Sequence, residues 1–240
     1  KAAILIEAET GEILYEKNSH EKLAPASMTK MMSMYLILEA INNGSMQWDE
    51  VIRVSEHAAS LGGSQIYLKP GEEMPVRDLF KSIAIASAND AVTALAERVA
   101  GTEEAFVEKM NAKAKELGMN DTVFKNPTGL TEEGHLTTPY DMSIIGRHLV
   151  QDYPEIIEFS GLYEDYIRQD TESPFWLVNT NKLLKYVDGV DGLKTGYTQE
   201  AGYCLTATAN RGEMRVIAVV MGASKSDIRN QEVTRLIEYA

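Results

Sequence analysis

Alternating apolar positions mark both ends of the chain, and helical spacing fills the middle. Residues 2–8 and 12–16 alternate around Glu9-Thr10-Gly11, which predicts a β-hairpin. A second hairpin is predicted for Tyr203–Ala209 and Met214–Met221, joined across Arg211-Gly212-Glu213. From about Ser226 to Tyr239 the pattern is helical, and further helices are predicted near 27–43, 76–86, 89–100, 103–117 and 139–150. Thr102 precedes the acidic first turn Glu103-Glu104 and Gly118 follows that helix, while Thr138 precedes Pro139 at a first helical position. Residues 60–75, with Gly62-Gly63 and Pro70-Gly71, read as loop. The expected fold class is α/β of the α+β kind: an antiparallel sheet made from both chain ends, carrying an inserted helical lobe. In numbers, a single domain is expected, with a sheet lobe over 1–26 and 185–240 and a helical lobe over 27–184.

The run Met28 to Ile41 contains no Gly or Pro and is apolar nearly all round, and Gly44 follows it as a stop signal. Such a helix is buried rather than amphipathic. It opens on Ser27-Met28-Thr29-Lys30, and residues three apart face each other on a helix, so the Lys30 amine reaches the Ser27 hydroxyl. Burial penalises the ammonium form, which suits a lysine acting as a base near neutral pH. A Ser-x-x-Lys alone arises by chance roughly once in a chain this long. Ser19-His20-Glu21-Lys22 also fits, but it lies in a polar stretch before Pro25 where nothing predicts a helix. Two further signatures separate the cases. Ser87-Ala88-Asn89 falls at the junction of two predicted helices, and Lys194-Thr195-Gly196 supplies a cationic strand segment just before the second hairpin. A serine, a buried amine, polar partners and a cationic strand together specify serine acyl transfer in a cleft between the lobes.

Composition removes other classes. The 36 acidic and 23 basic residues give a net charge of −13, which disfavours nucleic acid or an anionic membrane surface as a partner. Cys204 is the only cysteine, and His20, His57, His135 and His148 show no ligand spacing, so no metal and no cofactor are expected. No secretory signal or membrane-spanning run is seen, and the chain reads as already processed or trimmed.

The chain resembles the low-molecular-mass penicillin-binding proteins, specifically the D-alanyl-D-alanine carboxypeptidases of the peptidase S11 family. The resemblance runs almost end to end, through Ala24-Pro25-Ala26-Ser27-Met28-Thr29-Lys30, Ser87-Ala88-Asn89-Asp90, Phe106-Val107-Glu108-Lys109-Met110-Asn111, Asn126-Pro127-Thr128-Gly129-Leu130, Asp191-Gly192-Leu193-Lys194-Thr195-Gly196-Tyr197-Thr198 and Ala201-Gly202-Tyr203. It implies the fold shared by serine β-lactamases and penicillin-binding transpeptidases. It further implies that Ser27 attacks the penultimate D-alanine carbonyl of a peptidoglycan stem peptide ending in D-Ala-D-Ala, with neutral Lys30 as base. Under the same resemblance, Ser87 relays a proton to the leaving D-alanine, and Asn89 holds Lys30 and the substrate amide. The backbone N–H groups of Ser27 and Tyr197 form an oxyanion hole. Lys194, Thr195 and Gly196 belong to the substrate-binding strand, and Arg229 faces the substrate carboxylate. Gly63 and Ser64 match a Gly-Ser segment near the site. β-Lactams are expected to acylate Ser27.

Two departures from the family pattern matter. Tyr197 stands where some relatives have histidine, which affects substrate preference more than the backbone role. The chain also lacks the family's C-terminal β-rich domain and membrane anchor, so it reads as a catalytic domain from a membrane-associated, extracytoplasmic enzyme. A class A β-lactamase is the nearest alternative. It would need a Glu-x-x-Leu-Asn run, which is absent between Ala88 and Lys194, and aspartate where Ala88 stands. A non-catalytic penicillin-binding sensor or scaffold, and an esterase of the same fold, are the other readings.

Overall fold

A computed structural model describes residues 1–240. In chain order the elements are β1 (Ala2–Glu7), β2 (Ile13–Lys17), α1 (Lys30–Asn42), β3 (Val51–Arg53), α2 (Glu56–Ala59), β4 (Glu73–Pro75), α3 (Val76–Ala86), α4 (Asn89–Ala100), α5 (Glu103–Leu117), α6 (Pro139–Asp152), α7 (Ile156–Ser160), β5 (Glu164–Ile167), β6 (Phe175–Val178), α8 (Leu183–Tyr186), β7 (Val190–Thr198), β8 (Gly202–Arg211), β9 (Met214–Ala223) and α9 (Ser226–Tyr239). Both expected hairpins are present and join in one antiparallel sheet of order β2-β1-β9-β8-β7, with Ala2 opposite Met221. The mixed α/β fold with an antiparallel sheet is therefore as the sequence pattern predicts.

Side chains alternate across a strand, and here each face is covered. Leu5, Leu205, Val216, Ala218 and Val220 pack with Val233, Leu236 and Ile237 of α9. Ile4, Ile6, Cys204, Ile217, Val219 and Met221 point the other way, into the larger core with α1 and α6. This two-sided burial is why these strands are almost continuously apolar. No helix is long and apolar enough to cross a membrane.

Two sequence expectations need correction. The helix expected from residue 27 begins at Lys30, because Ala26–Thr29 form a tighter 3-10 turn. Residues 60–75 are not wholly loop, since β4 pairs with β3 in a small ribbon. Lys194-Thr195-Gly196 is in a strand as expected, inside β7, the outermost strand on that side. The β5–β6 ribbon was not legible from the pattern.

Candidate active site

Ser27 sits in the 3-10 turn that enters α1, and a distant loop holds that turn in place. Ala26 has φ +49°, an unfavourable backbone for a residue with a β-carbon. Gly129 packs directly on it: a Cβ at Gly129 would lie 1.9 Å from the Ala26 carbonyl oxygen, and its φ is +89°. Asn126 Oδ1 accepts from the Gly129 N–H at 2.7 Å, and Ser33 Oγ donates to the Pro127 carbonyl at 2.7 Å, tying the loop to α1. His135 completes the brace. Lys125 N–H donates to His135 Nδ1 at 2.9 Å, so the ring proton is on Nε2, 2.8 Å from Thr29 Oγ1. Burial, then the charge of Lys125, lowers the His135 pKa to about 4 and keeps the ring neutral.

Lys30, 0% exposed, connects the first two motifs: its Nζ stands 2.9 Å from Ser27 Oγ and 3.0 Å from Ser87 Oγ. Burial is the main force holding the Lys30 pKa well below its ordinary value, and the charge of Lys194 adds to it. Ser87 presents its hydroxyl from the C-terminus of α3 with a left-handed backbone, φ +61°. A non-glycine residue there is strained, and strain of this kind marks sites where side-chain direction matters more than backbone comfort.

Asn89 opens α4 and is buried. Its Nδ2 donates to the Gly62 carbonyl at 2.8 Å and its N–H to the Ser64 carbonyl at 2.7 Å, while Oδ1 has no partner. No hydrogen bond joins Asn89 to Lys30: Nδ2 is taken by the Gly62 carbonyl, and Oδ1 stands unpartnered. That close packing also accounts for Gly63, where a Cβ would lie 2.8 Å from Asn89 Nδ2. Asp90 fixes the next stretch of the loop by accepting the N–H groups of Ile66 and Leu68.

β7 closes the cleft. Gly196 lies so near the serine turn that a Cβ would come within 2.9 Å of both the Pro25 carbonyl and the Ser27 nitrogen. Lys194 is buried, and its Nζ donates to the Thr195 carbonyl at 3.0 Å. Burial, then the charge of Arg229, lowers its pKa to about 7. Thr195 Oγ1 donates to Thr180 Oγ1 at 2.6 Å. Tyr197 is 52% exposed, and its ring stacks on Tyr203 with centroids 4.2 Å apart. Arg229, at the start of α9, is buried with its guanidinium carbon 5.8 Å from the Tyr203 centroid.

Ser27, Ser87, Thr195, Gly196, Tyr197 and Arg229 line one cavity of about 410 Å³, together with Ser64, Thr180 and Lys182. Lys30, Asn89 and Lys194 lie behind that wall. The sequence profile of the peptidase S11 D-alanyl-D-alanine carboxypeptidases matches residues 1–225. The chain belongs to that family.

Within the family, it is 59% identical over its full length to the Bacillus subtilis D-alanyl-D-alanine carboxypeptidase DacF, of which it spans 61%. Among solved structures, the D-alanyl-D-alanine carboxypeptidase DacD from Francisella tularensis superposes with a TM-score of 0.94 at 34% identity, covering 99% of this chain and 69% of that one. Penicillin-binding protein D2 from Listeria monocytogenes, in its ampicillin-bound form, gives 0.88 at 35% identity, covering 99% and 95%. The penicillin-binding-protein fold expected from the motifs is therefore the fold observed. The cavity residues not singled out from the sequence are Thr180 and Lys182, which belong to no recognised motif, and Tyr203, Ser226 and Asn230. The bond between Thr180 and Thr195 ties the first of these to the substrate-binding strand.

Proposed function

We propose that this chain is the catalytic domain of a serine D-Ala-D-Ala carboxypeptidase that trims the terminal D-alanine from peptidoglycan stem peptides. The observation that carries the reading is the fully buried Lys30 amine held between two serine hydroxyls, with its pKa driven well below the ordinary lysine value by burial. Lys30 takes the Ser27 proton as Oγ attacks the carbonyl carbon of the penultimate D-alanine. The N–H groups of Ser27 and Tyr197 receive the developing oxyanion, a role the close packing of Gly196 against the Ser27 nitrogen supports. Collapse breaks the C–N bond, and the proton passes through Lys30 and Ser87 to the departing D-alanine amine. Water then attacks the ester, giving its proton to Lys30, and Ser27 is restored.

Arg229, Thr195 and Lys194 form the cationic, hydroxyl-bearing end suited to the substrate's terminal carboxylate. Asn89 lies behind the cavity wall with its Oδ1 unpartnered, and its assignment to the substrate amide follows the family resemblance. β-Lactams enter the same path and stop at the acyl stage. Action on peptidoglycan fits a site outside the cytoplasm.

The test is release of D-alanine from diacetyl-Lys-D-Ala-D-Ala. Release that disappears in Ser27→Ala supports the carboxypeptidase. A stable penicillin adduct on Ser27 without any release moves the sensor reading to the front, and rapid penicillin turnover the β-lactamase.

A further inference from the structure

The stretch Ala201-Gly202-Tyr203 carries part of the family resemblance, yet the mechanism gives Tyr203 no task. The sheet decides where its side chain goes. Residues directly opposite on an antiparallel pair share a face, and Tyr203 of β8 stands opposite Tyr197 of β7. Along β8, Tyr203 also shares a face with Leu205 and Ala207, the face that α9 covers. Tyr203 is therefore the floor on which Arg229, in the first turn of α9, comes to rest.

Three side chains stack there. The Tyr197 and Tyr203 rings lie 4.2 Å apart between centroids, with 30° between their planes. On Tyr203, the Arg229 guanidinium carbon stands 5.8 Å from the ring centroid. All three residues line the catalytic cavity, and both tyrosines also line a neighbouring cavity of about 300 Å³. Little else fixes the Arg229 head. Arg98, Arg168, Arg215 and Arg235 are held in ion pairs, and Arg229 is not among them. Its guanidinium hydrogen bonds through Nε to Asn230 Oδ1, an acceptor on the adjoining residue. The two Nη groups are left for a carboxylate arriving in the cavity, and the aromatic face is the broad contact that holds them at its wall.

A cation fixed before its partner arrives loses less freedom on binding than one that must be ordered by it. We infer that Tyr203 is a positioning residue, whose ring holds the Arg229 guanidinium in place for the carboxylate that ends the substrate. The inference rests on the carboxypeptidase reading, which assigns that carboxylate to Arg229, and names the residue that keeps Arg229 ready.

Benzylpenicillin and its methyl ester test it, because the antibiotic carries its carboxylate one carbon from the lactam nitrogen, as the leaving D-alanine does from the scissile nitrogen. The quantity measured is the ratio of acylation rates at Ser27, acid over ester. Folded sites count equally in both rates, so partial unfolding of a variant cancels. Tyr203→Leu is expected to lower the ratio about fivefold, the scale of one cation–π contact, and Tyr203→Phe to keep it. In an Arg229→Gln background, where the ratio is already low, Tyr203→Leu lowers it no further. Tyr203→Met, bulky but without an aromatic face, gives the same reading if the leucine variant does not fold. A ratio unchanged without the ring, lost equally in Tyr203→Phe, or lowered again in the Arg229→Gln background overturns the inference. An unaltered protein that does not prefer the acid removes the carboxylate role of Arg229, and this inference with it. Release of D-alanine from diacetyl-Lys-D-Ala-D-Ala tests the carboxypeptidase reading separately; its absence overturns that reading, while the acid-to-ester ratio still decides the role of Tyr203.

Discussion

Arg229 bears on Lys194 through charge alone. Its guanidinium is turned over the Tyr203 ring and hydrogen bonds to Asn230 Oδ1 at 3.1 Å, yet it depresses the Lys194 pKa, and Lys194 in turn depresses that of Lys30. Each effect is pairwise: the charge of Arg229 disfavours protonation of Lys194, and protonated Lys194 disfavours protonation of Lys30. In an acidic chain this arrangement requires burial, which removes the water that would otherwise screen each from the next.

Replacing Arg229 with glutamine removes one positive charge beside Lys194, which makes protonation of Lys194 easier. Its pKa rises from about 7, and the alkaline fall in kcat/KM that follows loss of the Lys194 proton moves to higher pH. The loss of a charge-assisted partner also raises KM for the peptide by about tenfold. A pH–rate profile of Arg229→Gln reads both effects, and an unmoved alkaline limb argues against the coupling.

Lys30→Ala deletes the base while leaving both serine hydroxyls in place. Acylation by penicillin is expected to slow by about 10²–10⁴-fold, with the circular dichroism spectrum unchanged. Rapid acylation of this variant would remove Lys30 from the mechanism.

Gly196→Ala tests the fit between β7 and the serine turn. The new methyl would sit 2.9 Å from the Ser27 nitrogen and 3.1 Å from the Met28 nitrogen, backbone atoms that cannot swing aside. A shift of the nucleophile of this order is expected to cost about 10²-fold in acylation rate, with about 1–3 kcal/mol of stability lost to overpacking. Acylation kinetics and urea unfolding separate the two losses.

His135 contributes a pH-dependent stability. Its pKa is lowered from 6.5 in the free side chain to about 4 in the fold, so between those values the unfolded chain binds a proton that the native state refuses. Stability from this group is full above about pH 6.5 and declines as pH falls toward 4, by about 3 kcal/mol in all. Urea unfolding at pH 7, 5.5 and 4.5 should show a shallower acid decline in His135→Gln than in the unaltered protein. Equal slopes would mean that His135 does not report on acid unfolding.

Much of this was legible before any coordinates. The 3.6-residue repeat exposed α3, α4, α5 and α9, and the Ser27–Lys30 spacing put the amine beside the hydroxyl, because those relations are local in the chain and survive the 3-10 turn at Ser27. What stayed hidden comes from distant packing. The serine turn is 3-10 rather than α-helical where Gly129 presses on Ala26, a contact between residues far apart in sequence. The strand character of Lys194-Thr195-Gly196 was read, but not the full extent of β7 from Val190, because Gly192 and Gly196 interrupt its apolar pattern. Thr180 and Lys182 enter the cavity from a loop whose position is fixed by the buried Asn179 and Asn181, which no local periodicity records.

The pairing of β1 with β9 has a consequence for how the protein matures. Residues 2–7 pair locally with β2 on one side but find their second partner only at 216–221, and β7 is held in place by β8, which in turn pairs with β9. A nascent or clipped chain that ends before residue 190 can contain the serine, the lysine and the whole run of helices, yet it lacks the strand that completes the cleft. Such long-range closure is slow and comes late. Penicillin labelling of Ser27 would therefore mark finished molecules and ignore unfinished ones, so that the chemistry itself keeps a record of which chains have folded to the end.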